Sequence, residues 1–186
     1  MKVLIYSFKS KKNISKQVLN KIKDSRQIVK VVFPSKCNKK IFLKTIKATT
    51  PDMIIGIGQH ENGDKYRIER KAYNAVQRKE DIYSIFSNKP DHYFLSLILK
   101  EDNESRYSYD AGYGISNYSM YIISHLCKNV NFAFINLPKD ADVEKAAAFV
   151  EKKISEAVKS HVLEGEQAGL SNFFKRRKEE NEKLIS

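Results

Sequence analysis

Residues 52–57, Asp52-Met53-Ile54-Ile55-Gly56-Ile57, form the third short apolar run in an opening segment that alternates extended and helical patterns. Before it, Lys2 to Ser7 reads as a strand, Ser15 to Lys23 as a helix, Gln27 to Phe33 as a strand and Lys39 to Ala48 as a helix. A βαβαβ order of this kind returns each strand to the sheet in the same direction. It predicts an α/β fold, a three-layer sandwich whose mostly parallel central sheet is flanked by helices. Ligand sites of such sheets gather beyond the carboxyl ends of the strands. Tyr6-Ser7-Phe8, Gln59-His60 and Asn136 all fall at such ends.

The pattern continues less regularly. Ile68 to Ser84 and His92 to Leu99 look extended, Tyr118 to Asn129 helical, Asn131 to Leu137 a short apolar strand, and Ala141 to His161 a long amphipathic helix. Between Ser96 and Gly112 stand Leu97-Ile98-Leu99, a polar turn from Lys100 to Ser105, and Arg106-Tyr107-Ser108-Tyr109. That span is too short for a helix with its connections and predicts a strand-to-strand link. There is no internal repeat and no low-complexity linker. Gly165, Gly169 and Asn172 interrupt the last helix, so residues 1–164 read as one domain and 165–186 as a charged C-terminal extension bearing Phe173 and Phe174.

At 186 residues with 41% hydrophobic side chains, including 10 Phe and 10 Tyr, the chain can fill one good core. Val3-Leu4-Ile5-Tyr6 is too short for a signal peptide, and no run approaches the ~20 apolar residues of a membrane span. Cys37 and Cys127 lie far apart and match no metal-ligand spacing, so no metal or other cofactor is expected and a reduced, cytoplasmic protein is the simplest reading. The net charge is +12, yet residues 1–50 hold fourteen Lys or Arg against Asp24 alone, so the basic excess is one region. Such a face attracts nucleic acid or an acidic protein. However, lysine outnumbers arginine and few aromatics interleave, which argues against a nucleic-acid reader.

The run Ser108-Tyr109-Asp110-Ala111-Gly112-Tyr113-Gly114-Ile115-Ser116-Asn117 has the layout of a nucleophile site. Its glycines permit a sharp turn, and the apolar periodicity that follows sets Ser116 at or near a helix N-terminus, where N–H groups and the helix dipole favour negative charge. A thiolate or a developing oxyanion suits that place. A serine gains less there, because its hydroxyl needs a partner to take the proton.

Three blocks carry a resemblance to the pyroglutamyl peptidase I family, cysteine peptidases that remove an N-terminal pyroglutamate. Pro51 to Gln59 resembles the family's strand and Gly-Gln turn, and Ile68-Glu69-Arg70-Lys71-Ala72-Tyr73-Asn74 its Leu-Glu-Arg-x-Ala-x-Asn segment. Asp110 to Asn117 is similar to Ser-Ala-Gly-x-Tyr-Val-Cys-Asn, and Phe134-Ile135-Asn136-Leu137-Pro138 to Phe-Ile-His-Val-Pro. The resemblance covers roughly residues 1–158. It implies that Glu69 stands at the position of the family's acid, Ser116 at that of its nucleophile and Asn136 at that of its base, with Phe8, Gln59 and Asn117 at substrate-binding positions. His60, after the Gly58-Gln59 turn, is a candidate displaced base, although an exposed turn histidine without a catalytic role is the plainer reading.

Losing either the nucleophile or the base of a triad costs on the order of a million-fold in turnover. With Ser116 and Asn136 in those places, the resemblance implies a protein without ordinary peptidase turnover, acting in binding a peptide N-terminus or a protein, or in assembly, including a homo-oligomer. Two further readings stay open: an altered hydrolase that uses Ser116, and a basic adaptor for nucleic acid or an acidic protein.

Overall fold

The computed structural model describes residues 1–9, 13–61 and 63–161, and these residues form ten strands and four helices. Strand β1 (Val3–Lys9) leads through helix α1 (Ile14–Lys21) to β2 (Ile28–Pro34), and α2 (Lys39–Thr49) leads on to β3 (Met53–His60). Short strands follow: β4 (Tyr66–Glu69), β5 (Lys71–Tyr73), β6 (Val76–Arg78), β7 (Asp81–Tyr83), β8 (His92–Phe94) and β9 (Ser105–Ser108). Helix α3 (Ile115–Leu126), β10 (Asn131–Pro138) and a helix α4 over residues 143–161 complete the order. The extension from 165 lies outside the described residues.

Six strands form the central sheet in the order β2-β1-β3-β10-β4-β9. The first four are mutually parallel, β4 runs antiparallel to β10, and β9 is parallel to β4. The α/β expectation therefore holds. Alternation along the inner strands separates the two faces. Val3, Ile5, Met53, Ile55, Ile57, Ala133, Ile135 and Leu137 pack against α1 and α4, whereas Leu4, Tyr6, Phe8, Ile54, Phe132 and Phe134 pack against α2 and α3. Both strand faces are covered, which explains why these strands read as nearly continuous apolar runs.

Local chemistry sets the helix starts. Asn13 caps α1 by accepting from the Ser15 N–H at 2.8 Å, and Asn38 caps α2 by accepting from Lys40 at 3.0 Å and Ile41 at 3.3 Å. Buried Ile14 and Val18, and likewise Phe42 and Ile46, are spaced one turn apart and face the sheet. Thr50, at φ 43°, ends α2 in a left-handed cap.

Two expectations about the middle of the chain are refined. The span from Ser96 to Gly112 has no helix, as its length implied, and is anchored from α4 by the 1% exposed Lys153. Its ammonium donates to the Lys100 carbonyl at 2.6 Å and pairs with Asp102 at 3.0 Å and Glu156 at 3.2 Å. Burial pushes the Asp102 carboxyl up, but bonds from Lys152, Ser105 and Lys153 outweigh that and hold it well below the usual range. The stretch from Ile68 to Ser84 is four short strands, not one extended segment. Its β6–β7 hairpin turns at Lys79, at φ 57°, and the Asn74 side chain brackets Phe86, donating to its carbonyl at 2.8 Å and accepting from its N–H at 2.9 Å.

Candidate functional site

In the carboxyl-terminal halves of β3 and β10, the sheet face turned toward α3 carries Gly56 and Gly58 beside Phe134 and Asn136. Glu69 is paired with Phe134 across β4, so its side chain rises from the same face as Asn136. The two meet: the Asn136 Nδ2 donates to Glu69 Oε1 at 2.7 Å, with Glu69 1% and Asn136 3% exposed. A carboxylate can only accept, which orients the amide and aims its Oδ1 away from Glu69.

Gly58 leaves room for that oxygen. A methyl group there would lie 2.1 Å from Asn136 Oδ1 and 2.8 Å from Ser116 Oγ. Both oxygens thus converge on the space that a side chain at 58 would fill, and their separation is at most the sum of those two distances. Asn136 thus stands between Glu69, which its Nδ2 contacts, and Ser116, which borders the same space as its Oδ1. Asn136 Oδ1 has no hydrogen-bond partner among the described residues.

Ser116 stands at the helix N-terminus as expected, but the helix begins three residues before Tyr118. Helix α3 starts at Ile115 behind an N-cap at Gly114, which supplies no side-chain cap, so Ser116 belongs to the first turn, whose N–H groups have no partner within the helix. The helix also stops at Leu126, short of the expected Asn129: the Cys127 N–H makes the last helical bond, to the Ile123 carbonyl at 2.8 Å, and Cys127 itself leaves the helical region at φ −121° and ψ 50°. Upstream, Gly112 at φ 65° donates its N–H to Asp110 Oδ1 at 2.9 Å, closing the turn that delivers the helix.

A hydrogen-bond chain that the sequence did not reveal fixes Ser116 from behind. Ser119 Oγ donates to the Ser116 carbonyl at 2.8 Å, so the Tyr6 hydroxyl must donate to Ser119 Oγ, at 2.9 Å. Burial raises the Tyr6 phenol far above its ordinary value and keeps it a donor. The available signal was the helical spacing of Ser116 and Ser119, with Tyr6 alternating onto the same sheet face.

The remaining predicted residues are elsewhere in role. Phe8 lies inside β1, which runs on to Lys9, and its ring is 2% exposed, edge-on to Tyr6 at 5.7 Å. Gln59 is not in a turn but within β3, on the opposite face from Gly58, where its Oε1 accepts from the Ile14 N–H at 3.1 Å and holds the start of α1. Asn117 is fully buried and fully used. It accepts from the Tyr73 N–H at 2.8 Å and donates to the carbonyls of Tyr73 at 3.0 Å and Ala75 at 2.7 Å, pinning the β5–β6 segment to α3.

His60 is likewise no exposed turn histidine. It closes β3 opposite Pro138, is 7% exposed, and its Nε2 is bonded to the Lys65 carbonyl at 3.1 Å. Both cysteines are free, and burial pushes the Cys37 thiol up to about 11. Among the described residues, no helix is long and apolar enough to cross a membrane and no group of three or more His, Cys, Asp or Glu could hold a metal.

Burial pushes the Glu69 carboxyl above its ordinary value; the Asn136 amide, the Ser108 hydroxyl and the Arg67 charge pull it back only in part. A raised folded value means that the native state binds the proton more tightly than the unfolded one. The charged form therefore costs stability above the folded pKa, and that cost disappears as pH falls below the ordinary value. Glu69→Gln keeps an acceptor for Asn136 without the charge. It is expected to raise the thermal midpoint at pH 7 and to leave it unchanged near pH 3, as read by calorimetry.

A mostly parallel six-stranded sheet covered by helices on both faces defines a three-layer α/β sandwich. The chain matches no protein-family model and no curated protein sequence. Among solved structures it is similar to pyrrolidone carboxyl peptidase of the hyperthermophile Pyrococcus furiosus. A structure described for that enzyme and its cysteine-free mutant aligns with TM-score 0.77 at 21% identity, covering 86% of this chain and 99% of that one. Two point variants of the same enzyme give TM-scores of 0.77 and 0.74, at 22% and 21% identity and the same coverage. The fold is that of the pyrrolidone carboxyl, or pyroglutamyl, peptidases.

Proposed function

We propose that this chain is a pyroglutamyl-peptidase-like protein that binds a peptide end or a protein segment at the Ser116 site without hydrolysing it. The observation that carries the reading is the Asn136 amide, whose Nδ2 is committed to Glu69 at 2.7 Å and whose Oδ1 shares the space above Gly58 with Ser116 Oγ. An amide oxygen takes no proton at neutral pH, so Ser116 has no base in the place where a triad supplies one. The oriented Oδ1 and the first-turn N–H groups of α3 are nevertheless suited to hold a ligand that offers both a donor and an acceptor. His60 does not replace the base in this reading, since its Nε2 is engaged by Lys65. A reduced, cytoplasmic setting belongs to the same proposal and is supported by the two free cysteines.

The test is hydrolysis of a chromogenic pyroglutamyl amide beside NMR titration with a pyroglutamyl dipeptide. The unaltered chain is expected to release nothing above buffer while the dipeptide shifts the Ser116 and Asn136 resonances. Release that Ser116→Ala abolishes would overturn the reading in favour of a serine hydrolase with a different base.

A further inference from the structure

The central sheet ends on one side at β9, four residues long, and on the other at β2, seven residues long. Among the described residues β2 pairs only with β1, in the register Val3 with Ile28 through Lys9 with Pro34. The Gln27 carbonyl accepts from the Val3 N–H at 2.7 Å and so faces β1. Backbone direction alternates along a strand, which turns Val29, Val31 and Phe33 to β1 and Ile28, Lys30 and Val32 outward. The Ile28 N–H is taken by the Ser25 carbonyl at 3.1 Å. The Lys30 and Val32 N–H groups, with the carbonyls of Ile28, Lys30 and Val32, then form an outward ladder.

Proteins ordinarily blunt such an edge with proline, a bulge, a very short strand or a projecting charge. Strand β2 has proline only at its last position, pairs with β1 without a skipped residue, and is rich in β-branched residues. Its one charge is withdrawn. The Lys30 ammonium is bonded to the Ile22 carbonyl and paired with Asp24 at 2.8 Å, and Val32, on the α1 face, is 37% exposed.

We propose that the β2 edge accepts an extended acidic segment of another protein as an added parallel or antiparallel strand. The acidic character follows from the surroundings. Exposed Lys23 and Arg26 lead into the strand and exposed Lys36 and Lys40 lead out of it, while the nearby acids are engaged, Asp24 with the Lys30 ammonium and Glu151 with the Lys23 N–H. A second copy would bring the same cations to the same place and repel. Backbone hydrogen bonds supply affinity in this mode, and alternate side chains supply selectivity: apolar ones against Val32 and Ile28, acidic ones toward the flanking lysines.

The experiment titrates the full chain with a short alternating Glu/Val peptide, followed by amide NMR and calorimetry. The expected result is perturbation centred on the Lys30 and Val32 amides, with affinity that falls as salt is raised. Val32→Pro removes an outward N–H and leaves the β1 ladder intact, a placement that edge strands tolerate. It is expected to weaken binding at least ~10-fold with unchanged circular dichroism. Methylating alternate amide nitrogens of the peptide removes the other half of the ladder without altering the protein, and the same loss is expected. An alternating Lys/Val peptide that binds as tightly, a methylated peptide that binds unimpaired, or perturbation away from β2 would overturn the proposal. So would concentration-dependent dimerisation by sedimentation that Val32→Pro abolishes, which would assign the edge to a second copy.

Discussion

The combined change Ser116→Cys with Asn136→His is expected to yield a chain that releases the chromophore from a pyroglutamyl amide at least about a thousand-fold faster than the unaltered protein, with each single change far below the pair. The scaffold for it is already in place. Asn136 presents Nδ2 to Glu69 at 2.7 Å, where a histidine Nδ1–H would donate to the same carboxylate and turn its Nε2 to the side now occupied by Oδ1. That side is the space above Gly58 that Ser116 Oγ borders, and the missing Cβ leaves room for a ring. A thiol at 116 would sit in the first turn of α3, where the N–H groups and helix dipole favour a thiolate. Members of a triad act as a unit, so restoring one alone leaves the proton without a path. Steady-state release by the two singles and the double, with circular dichroism to establish folding, makes the comparison. A folded double variant as silent as the unaltered chain would mean that the pocket no longer seats pyroglutamate, and the proposed ligand class would have to change.

Gly56→Ala is the second change with a large expected effect, and it acts on the fold before the site. A methyl group at 56 would stand 2.3 Å and 2.5 Å from the Phe134 ring and 2.7 Å from Tyr6 Cζ. Both rings are fully buried, packed with Phe8, Phe33, Phe42 and Phe132 in one aromatic cluster, so neither can swing into solvent. Overpacking of a close-packed core costs about 1–3 kcal/mol and more where nothing can yield. The expectation is a loss of about 3 kcal/mol in urea unfolding, with the site disturbed through the Tyr6 hydroxyl that supports Ser119 and Ser116. A midpoint within experimental error of the parent would show that the cluster can relax and that Gly56 is not needed for close approach.

Much of this architecture could be read along the chain. Strands of Val, Ile, Leu and aromatics, separated by Asn-capped helices with apolar residues one turn apart, announce their own local structure because covered strands and amphipathic helices carry different periods. The absence of a helix between Ser96 and Gly112 followed from length alone. The positions of Glu69, Ser116 and Asn136 were legible through the motifs around them, and the structure brings all three to one place.

The errors share a cause. Gln59 and His60 were placed at a turn through the resemblance of Gly58-Gln59 to a Gly-Gln turn, yet β3 continues through both where β10 pairs with them. Asn117 carried a motif but spends its amide on the backbone of Tyr73 and Ala75. A side chain's hydrogen-bonding capacity is visible in its type, whereas its partners depend on which backbone groups the sheet has left unpaired.

The sequence by itself determined the layered α/β scaffold, the order of its elements and the identities at the three site positions, since these depend on periodicity, propensity and residue chemistry near in the chain. Only the tertiary structure decided that the Asn136 amide points its donor at Glu69 and its acceptor toward Ser116, that Tyr6 holds Ser119 beneath the helix start, and that β2 lies at the sheet's open edge. Those facts join residues as many as 113 positions apart. They arise from the order of six strands in one sheet and from packing α2 and α3 on one of its faces, which no local segment specifies.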